Sequence, residues 1–371
     1  NIAFYGDIQG SASNMQSVIE MLKSICPDLD MSLLAGDVTD NGHFDSDWQS
    51  LYAGMGDYFA SQIWAATIGN HDEYFDAQAF TSFFYGPDNG TEATARNYWF
   101  TVGDAVIYNL DTQSYGYDPD FSKQIANMKR AFESQPGKFR IVLMHRSTYP
   151  MNYDEADVRA LSAAFELLNI DLVLSGHDHI YSRTQMQGGE KSAQGPVYIV
   201  GGSASGSKYY DADVNGRPWQ DVVYDENNPV FTLLKVRGNK LLFVAYAIVG
   251  GQAQRIDSVE IMKKVSVSYN AYVSGPERVT VGESATYTIT PTEGFEIAGI
   301  TVNGRALEVA SAITLENITV DTEIYVTLRR IPSEVEPEQP AAGESCTAAG
   351  AQLYAGIVLL CLLGALKLKR N

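Results

Sequence analysis

Five apolar, β-prone runs along the chain each break off into a short polar cluster. Asp171-Leu-Val-Leu-Ser175 opens onto Gly176-His177-Asp178-His179, and Ile2-Ala-Phe-Tyr-Gly6 opens onto Asp7-Ile-Gln9-Gly10. Met31-Ser-Leu-Leu-Ala-Gly36 leads to Asp37-Val-Thr-Asp40, Ile63-Trp-Ala-Ala-Thr-Ile-Gly69 to Asn70-His71-Asp72, and Phe139-Arg-Ile-Val-Leu-Met144 to His145-Arg146. Runs of this length and composition read as buried strands. On its own, Gly-His-x-His is either a pair of solvent histidines or a chelating pair turned to one locus. The chain has five histidines and four of them fall in these clusters, which favours the chelating reading. In α/β folds the carboxyl ends of strands are where chemistry is assembled.

Between the strands the pattern turns helical. Met15, Val18, Ile19, Leu22 and Ile25 fall at helical spacing after the capping candidates Ser11 and Ser13, and Pro27 stops the helix. Trp48, Leu51, Tyr52 and Met55 mark a second helix over about 44–59, as a core stripe. Strand, helix and strand in succession imply a parallel sheet. Residues 98–110 read as a hairpin turning at Gly103-Asp104. Further helices are expected over 121–134 and 155–168, and a strand over 196–200. A closing hairpin over 230–247 turns at Gly238-Asn239. Gly201-Gly-Ser-Ala-Ser-Gly206 follows a strand but precedes no helical pattern, so it fails the dinucleotide fingerprint and reads as close backbone packing beside the site.

The ordered motifs Gly-Asp, Gly-Asp, Gly-Asn-His-Asp, Met-His and Gly-His-Asp-His resemble those of the calcineurin-like metallophosphoesterases. Gly176-His-Asp-His-Ile-Tyr-Ser-Arg-Thr184 and His145-Arg-Ser-Thr-Tyr149 look most like the purple acid phosphatase branch. The resemblance implies an α/β fold of four layers, an αββα sandwich, over residues 1–262. It also implies a binuclear site that takes two divalent metal ions, with Asp37 bridging. One metal would take Asp7, Asp37 and His179, the other Asp37, Asn70, His145 and His177. An amide oxygen and neutral imidazoles suit Mn, Fe or Zn. Two metals roughly 3.5–4 Å apart would supply a bridging hydroxide for phosphoester hydrolysis.

In the family the residue at His71 contacts phosphate and protonates the leaving alkoxide, work that suits an imidazole. Asp72 either orients it or is a solvent-facing loop aspartate. Arg146 either meets a substrate anion as a planar donor fork or forms a salt bridge, and Arg183 reads as structural. Two departures stand out. Asp40 occupies the position where purple enzymes carry a tyrosinate ligand, so a colourless site is expected. Gln9 stands where other members carry histidine, and its amide oxygen is a poorer metal ligand. His43 is a rim residue, a substitute ligand or a surface histidine.

A formal net charge of −19 argues against nucleic-acid polymers as partners, because Lys and Arg normally meet their phosphates. Cys26, Cys346 and Cys361 have no evident partners, so no disulfide framework is expected. Residues 265–330 alternate with period two and contain the turn Asn303-Gly304, which predicts a small all-β domain. It resembles the β-rich repeats of bacterial surface proteins, implying a spacer or surface-contact role. Residues 331–350, rich in Pro, Glu and Ala, read as a stalk. The apolar run over 351–368 with Lys367, Lys369 and Arg370 reads as a C-terminal transmembrane helix, basic end inside and catalytic domain at the cell surface. A start at Asn1 without methionine is read as the removal of a leader or of a domain. The favoured function is an extracellular phosphomonoesterase acting on a small phosphorylated molecule. The alternatives are a nucleotide phosphodiesterase and an adhesin built on a phosphatase scaffold.

Overall fold

The structure, a computed structural model, describes residues 1–10, 12–73, 77–91, 96–114 and 117–332. Ser11, the expected stalk from 333 onward, the expected membrane span over 351–368, Cys346 and Cys361 fall outside what is described, and Ser13, the other capping candidate, lies inside the first helix, Ala12–Ile25. Among the described residues no helix is long and apolar enough to cross a membrane.

The first half of the domain alternates strand and helix: β1 (Ile2–Tyr5), α1 (Ala12–Ile25), β2 (Met31–Leu34), α2 (Asp45–Ser61), β3 (Trp64–Ala66) and α3 (Gln78–Phe83). Then come β4 (Tyr98–Val102), β5 (Ala105–Asn109), α4 (Ser122–Glu133), β6 (Phe139–Leu143), α5 (Ala156–Leu167), β7 (Leu172–Ser175) and β8 (Tyr181–Gln187). The domain finishes with β9 (Glu190–Lys191), β10 (Val197–Gly201), β11 (Val222–Tyr224), β12 (Val230–Arg237), β13 (Lys240–Val249) and β14 (Gln252–Met262). The short helix α3, and the strands β8, β11 and β14, carry too little periodicity to be read from sequence. In α2, Gly56 at φ 51° and ψ −138° kinks what the apolar stripe presents as one helix.

Two sheets result, ordered β14-β13-β12-β1-β2-β3 and β11-β8-β10-β7-β6-β5-β4, with β9 paired to β8. β1, β2 and β3 run parallel, as do β5, β6, β7 and β10. Phe4, Leu33, Ile141, Leu174, Leu234 and Phe243 meet between the sheets. The outer face of the first sheet packs on α1 and α2 through Met15, Leu22, Trp48 and Leu51. That of the second packs on α4 and α5 through Met128, Phe132, Leu161 and Phe165. The expected αββα sandwich is therefore present. Because β1, β2, β3, β6 and β7 are buried on both faces, they read as continuous apolar runs. Their carboxyl ends converge on one edge of the sandwich.

Residues 264–330 form the expected all-β module, a five-stranded sheet and a three-stranded sheet around Val265, Tyr287, Ile289, Ile300 and Ile324. No linker precedes it: β14 ends at Met262 and the next strand starts at Lys264. Module and domain make one compact unit over Asn1–Arg330. They are joined by Lys263 to Asp171 at 2.7 Å and Arg140 to Asp321 at 2.7 Å. Asp171 and Arg140 lie at the amino ends of β7 and β6, so the module docks at the opposite end of those strands from the polar clusters.

Candidate metal centre

The turn after each strand aims a polar side chain into a common space, and the backbone is bent to do so. Gln9, Asp37, His177 and His179 all have positive φ, at 42°, 46°, 71° and 55°. Non-glycine residues seldom adopt this region, and it is tolerated where the surrounding structure overdetermines it. Gly69 lets the third turn come close, because a Cβ there would stand 2.1 Å from Asp37 Oδ1. The Gly201–Gly202 loop closes the site from behind: Asp7 N donates to Gly202 O at 3.2 Å, and Ala204 N donates to Asp7 O at 2.8 Å. This is the close backbone packing expected of that glycine run.

His145 is the centre of the arrangement and is fully buried. Its Nδ1 donates to Ala35 O at 2.7 Å, so in the neutral ring the Nε2 lone pair faces the site. Around Nε2 stand Asn70 Oδ1 at 3.1 Å, His177 Nδ1 at 3.1 Å and Asp37 Oδ1 at 3.3 Å. Three lone-pair atoms crowd one nitrogen, and a single proton cannot satisfy them all. The separations match the edges of a coordination shell with metal–ligand bonds of about 2.0–2.2 Å, for which edges of roughly 3.0–3.5 Å follow. Asp37, His145 and His177 form one group able to hold a cation. Asp7, Asp37 and His179 form a second, with Asp37 common to both. His179 Nδ1 donates to Lys208 O at 3.2 Å, leaving Nε2 as the lone-pair nitrogen of the neutral ring.

The charges are poorly matched without a cation. Burial raises Asp7 well above the ordinary carboxylate range, opposed by His145 and reinforced by Asp37. Burial also pushes Asp37 up, but His145 and His71 outweigh it and hold that carboxyl low. Burial lowers His145, yet Asp37 and Asp7 overcome it and bring the ring to about 9. His177 falls to about 3 and His179 to about 4, chiefly through burial. Two rings are thus kept unprotonated as ligands must be, and the third holds a proton where a metal would sit.

Other expected residues fall near the site but in different roles. Gln9 joins it through its amide nitrogen, which donates to Asp37 Oδ2 at 3.1 Å. Its Oε1 is buried with no hydrogen-bond partner, an acceptor that a cation would satisfy. His71 N donates to Asp37 Oδ1 at 2.9 Å, and the ring lies at the rim with Nε2 4.0 Å from Asp37 Oδ2.

Asp72 does not serve His71. It is buried and accepts from Val38 N at 3.1 Å, Thr39 N at 3.2 Å and Gly69 N at 3.0 Å, lashing the second turn to the third. Burial, then Asp37, raises it to about 6. The His71 ring is oriented instead by Asp40, whose carbonyl accepts from Nδ1 at 2.6 Å. Asp40 supplies no ligand in place of the family tyrosine: its carboxylate pairs with Lys208 at 2.8 Å. The carbonyls of Asp40 and Lys208 thus steady His71 and His179, and their side chains tie the two loops together. Of the two readings for Arg146, the salt bridge is the one present, to Glu155, with a further bond to Gln113 Oε1 at 3.0 Å. Arg183 pairs with Asp257 at 2.7 Å, as a structural residue should. His43 is exposed against Phe44, outside the cluster.

Two residues went unread in the sequence. The Tyr153 ring lies 5.1 Å from that of His177, and the Tyr210 ring 4.9 Å from that of His179. Their only sequence signal is position, each in a loop that follows the carboxyl end of a strand.

Residues 1–181 match the family model described as calcineurin-like phosphoesterase. No curated protein matches the chain. Among solved structures, purple acid phosphatase PPD1 from yellow lupin (Lupinus luteus) seeds is similar, with TM-score 0.58 and 17% identity over 70% of this chain and 53% of that one. The chain thus spans about half the length of that phosphatase. GAP50, described as the anchor in the inner membrane complex of Plasmodium, gives TM-score 0.52 and 16% identity, over 70% of this chain and 88% of its own. At these identities the likeness is one of fold.

Proposed function

We propose that the calcineurin-like phosphoesterase domain that residues 1–181 carry, completed by the strands to Met262, makes this chain a binuclear metal-dependent phosphomonoesterase. The observation that carries the reading is the crowding of Asn70, His177 and Asp37 around His145 Nε2 at 3.1–3.3 Å. Asp37, Asn70, His145 and His177 would hold one cation. Asp7, Asp37 and His179 would hold the other, with Gln9 Oε1 available to it after a turn of the amide. Mn, Fe or Zn suits this nitrogen and oxygen set. When bound, the pair supplies Lewis-acid activation of water and relief of charge on phosphoryl oxygens.

The chain's own residues then divide the remaining work. The carbonyls of Ala35 and Lys208 fix which ring nitrogen of His145 and His179 faces the site. Asp72 holds two ligand-bearing turns together. His71, with Nδ1 committed to the Asp40 carbonyl, presents Nε2 to the site; its imidazolium form would give that proton to the departing alkoxide. The test is metal titration of the purified protein, followed by assay on a phosphomonoester and a phosphodiester. About two equivalents of Mn or Zn with monoester turnover is expected. Failure to bind metal overturns the hydrolase reading, and turnover of the diester alone favours a phosphodiesterase.

Placement at a cell surface belongs to the same proposal. It rests on the apolar run at 351–368, its basic neighbours and the resemblance of the β module to surface-protein repeats. Fractionation of the full chain between membrane and soluble material, with protease accessibility of the domain, tests it.

A further inference from the structure

The rim of the site carries two tyrosines that the proposed reaction leaves unused. Besides lying against His177 and His179, the two rings meet each other edge-on, at 5.5 Å and 86°. Tyr153 is 41% exposed, so its ring is presented to solvent beside the donor cluster and not buried as packing. Its place is nonetheless fixed. Asp178, the residue between the two histidines, accepts from Asn152 N at 2.9 Å and Tyr153 N at 3.0 Å, and also from Met151 N. Asp213 N donates to Met151 O at 3.1 Å, joining the Tyr210 loop to the Tyr153 loop. An aromatic pair held this firmly, with Tyr153 open to solvent, loses little entropy when a ring packs on it, and offset or edge-on ring contacts are favourable beyond their area.

We propose that Tyr153 and Tyr210 wall a leaving-group subsite that selects phosphomonoesters of aromatic alcohols. The inference rests on the phosphomonoesterase reading, and its test separates the two. Wild type, Tyr153→Ala, Tyr210→Ala, the double variant and the two Tyr→Phe variants are loaded with Mn and compared in two arms. In the first, affinity is measured for phenylphosphonate and methylphosphonate, which cannot be hydrolysed. The wild type should prefer phenylphosphonate, and each alanine variant should lose about 3- to 10-fold of that preference, the double variant more. In the second, the ratio of kcat/KM for phenyl phosphate over glycerol 2-phosphate should fall by a similar factor, cancelling intrinsic leaving-group reactivity. The phenylalanine variants keep the ring and should keep both preferences. Equal phosphonate affinities in the wild type, no binding of either phosphonate, or a preference unmoved in the double variant overturns the subsite. If neither ester is hydrolysed the phosphoesterase reading fails, while the phosphonate arm still decides the wall.

Discussion

The two ends of strands β6 and β7 both bury charge, and they handle it in opposite ways. At the amino end Lys263 and Asp171, each with a side chain 2% exposed, pair at 2.7 Å. The same Asp171 oxygen accepts from Arg140 N, while the Arg140 guanidinium reaches Leu168 O at 2.8 Å and Asp321 at 2.7 Å. Lys263 with Asp171 and Arg140 with Asp321 are direct charge pairs, and the result is a joint between domain and module. At the carboxyl end Asp7 and Asp37 share one protonated ring, and Asn70, His177 and Gln9 bring lone pairs with too few protons to meet them. Buried polar groups left unmatched are costly unless something else satisfies them. The matched end stabilises the fold. The unmatched end is poised for a cation.

The sharpest way to break the contrast is to remove the carboxylate common to both metal groups. Asp37→Asn should abolish binding of both equivalents and reduce turnover to the background of metal-free protein. Its melting temperature in chelator should fall modestly, since the carboxylate that holds the His145 proton has gone. A variant that unfolds in chelator would make Asp37 structural. Next comes His71→Asn, which should cut turnover about 10²–10⁴-fold while metal content stays near two equivalents. Loss of metal from that variant would reassign His71 as a ligand.

At the other end, Lys263→Met leaves Asp171 buried without its partner and should destabilise the protein by about 3–5 kcal/mol. Urea unfolding measures this, and turnover of the folded variant should stay within about twofold of wild type, since the joint lies some five strand residues, roughly 15 Å, from the ligands. A joint that carried catalysis would show a loss of turnover in place of stability.

The effect that is smallest for a single step of one pH unit is a pH dependence. In the metal-free protein His145 titrates near 9, so below that pH a metal must displace its Nε2 proton. Metal affinity should therefore rise about tenfold per pH unit up to about 9 and then level, with one proton released per ion bound at that site. His177 and His179, at about 3 and 4, are already unprotonated and should add nothing above pH 5. Chelator competition across pH checks the slope, and a flat profile would mean that the proton is not held at His145.

What the sequence determined by itself is the fold class and the candidate ligands. Doubly buried strands must be apolar throughout, so their ends are marked where polar residues begin, and Asp7, Asp37, Asn70, His145, His177 and His179 stand at those marks. What only the tertiary structure decided is how those ligands are held and what surrounds them. Ala35, Asp40 and Lys208 act through backbone carbonyls, which every residue has and no motif records. Asp72 looked like a neighbour of His71 because it follows it in sequence, but the turn sends its carboxylate inward to three backbone N–H groups. The module reads as a separate block because periodicity reports strands and not docking; Lys263 is an ordinary lysine until it meets Asp171, 92 residues away. Tyr153 and Tyr210 become neighbours only when the loops after two different strands are brought to one edge, since proximity across a sheet depends on strand order and not on distance along the chain.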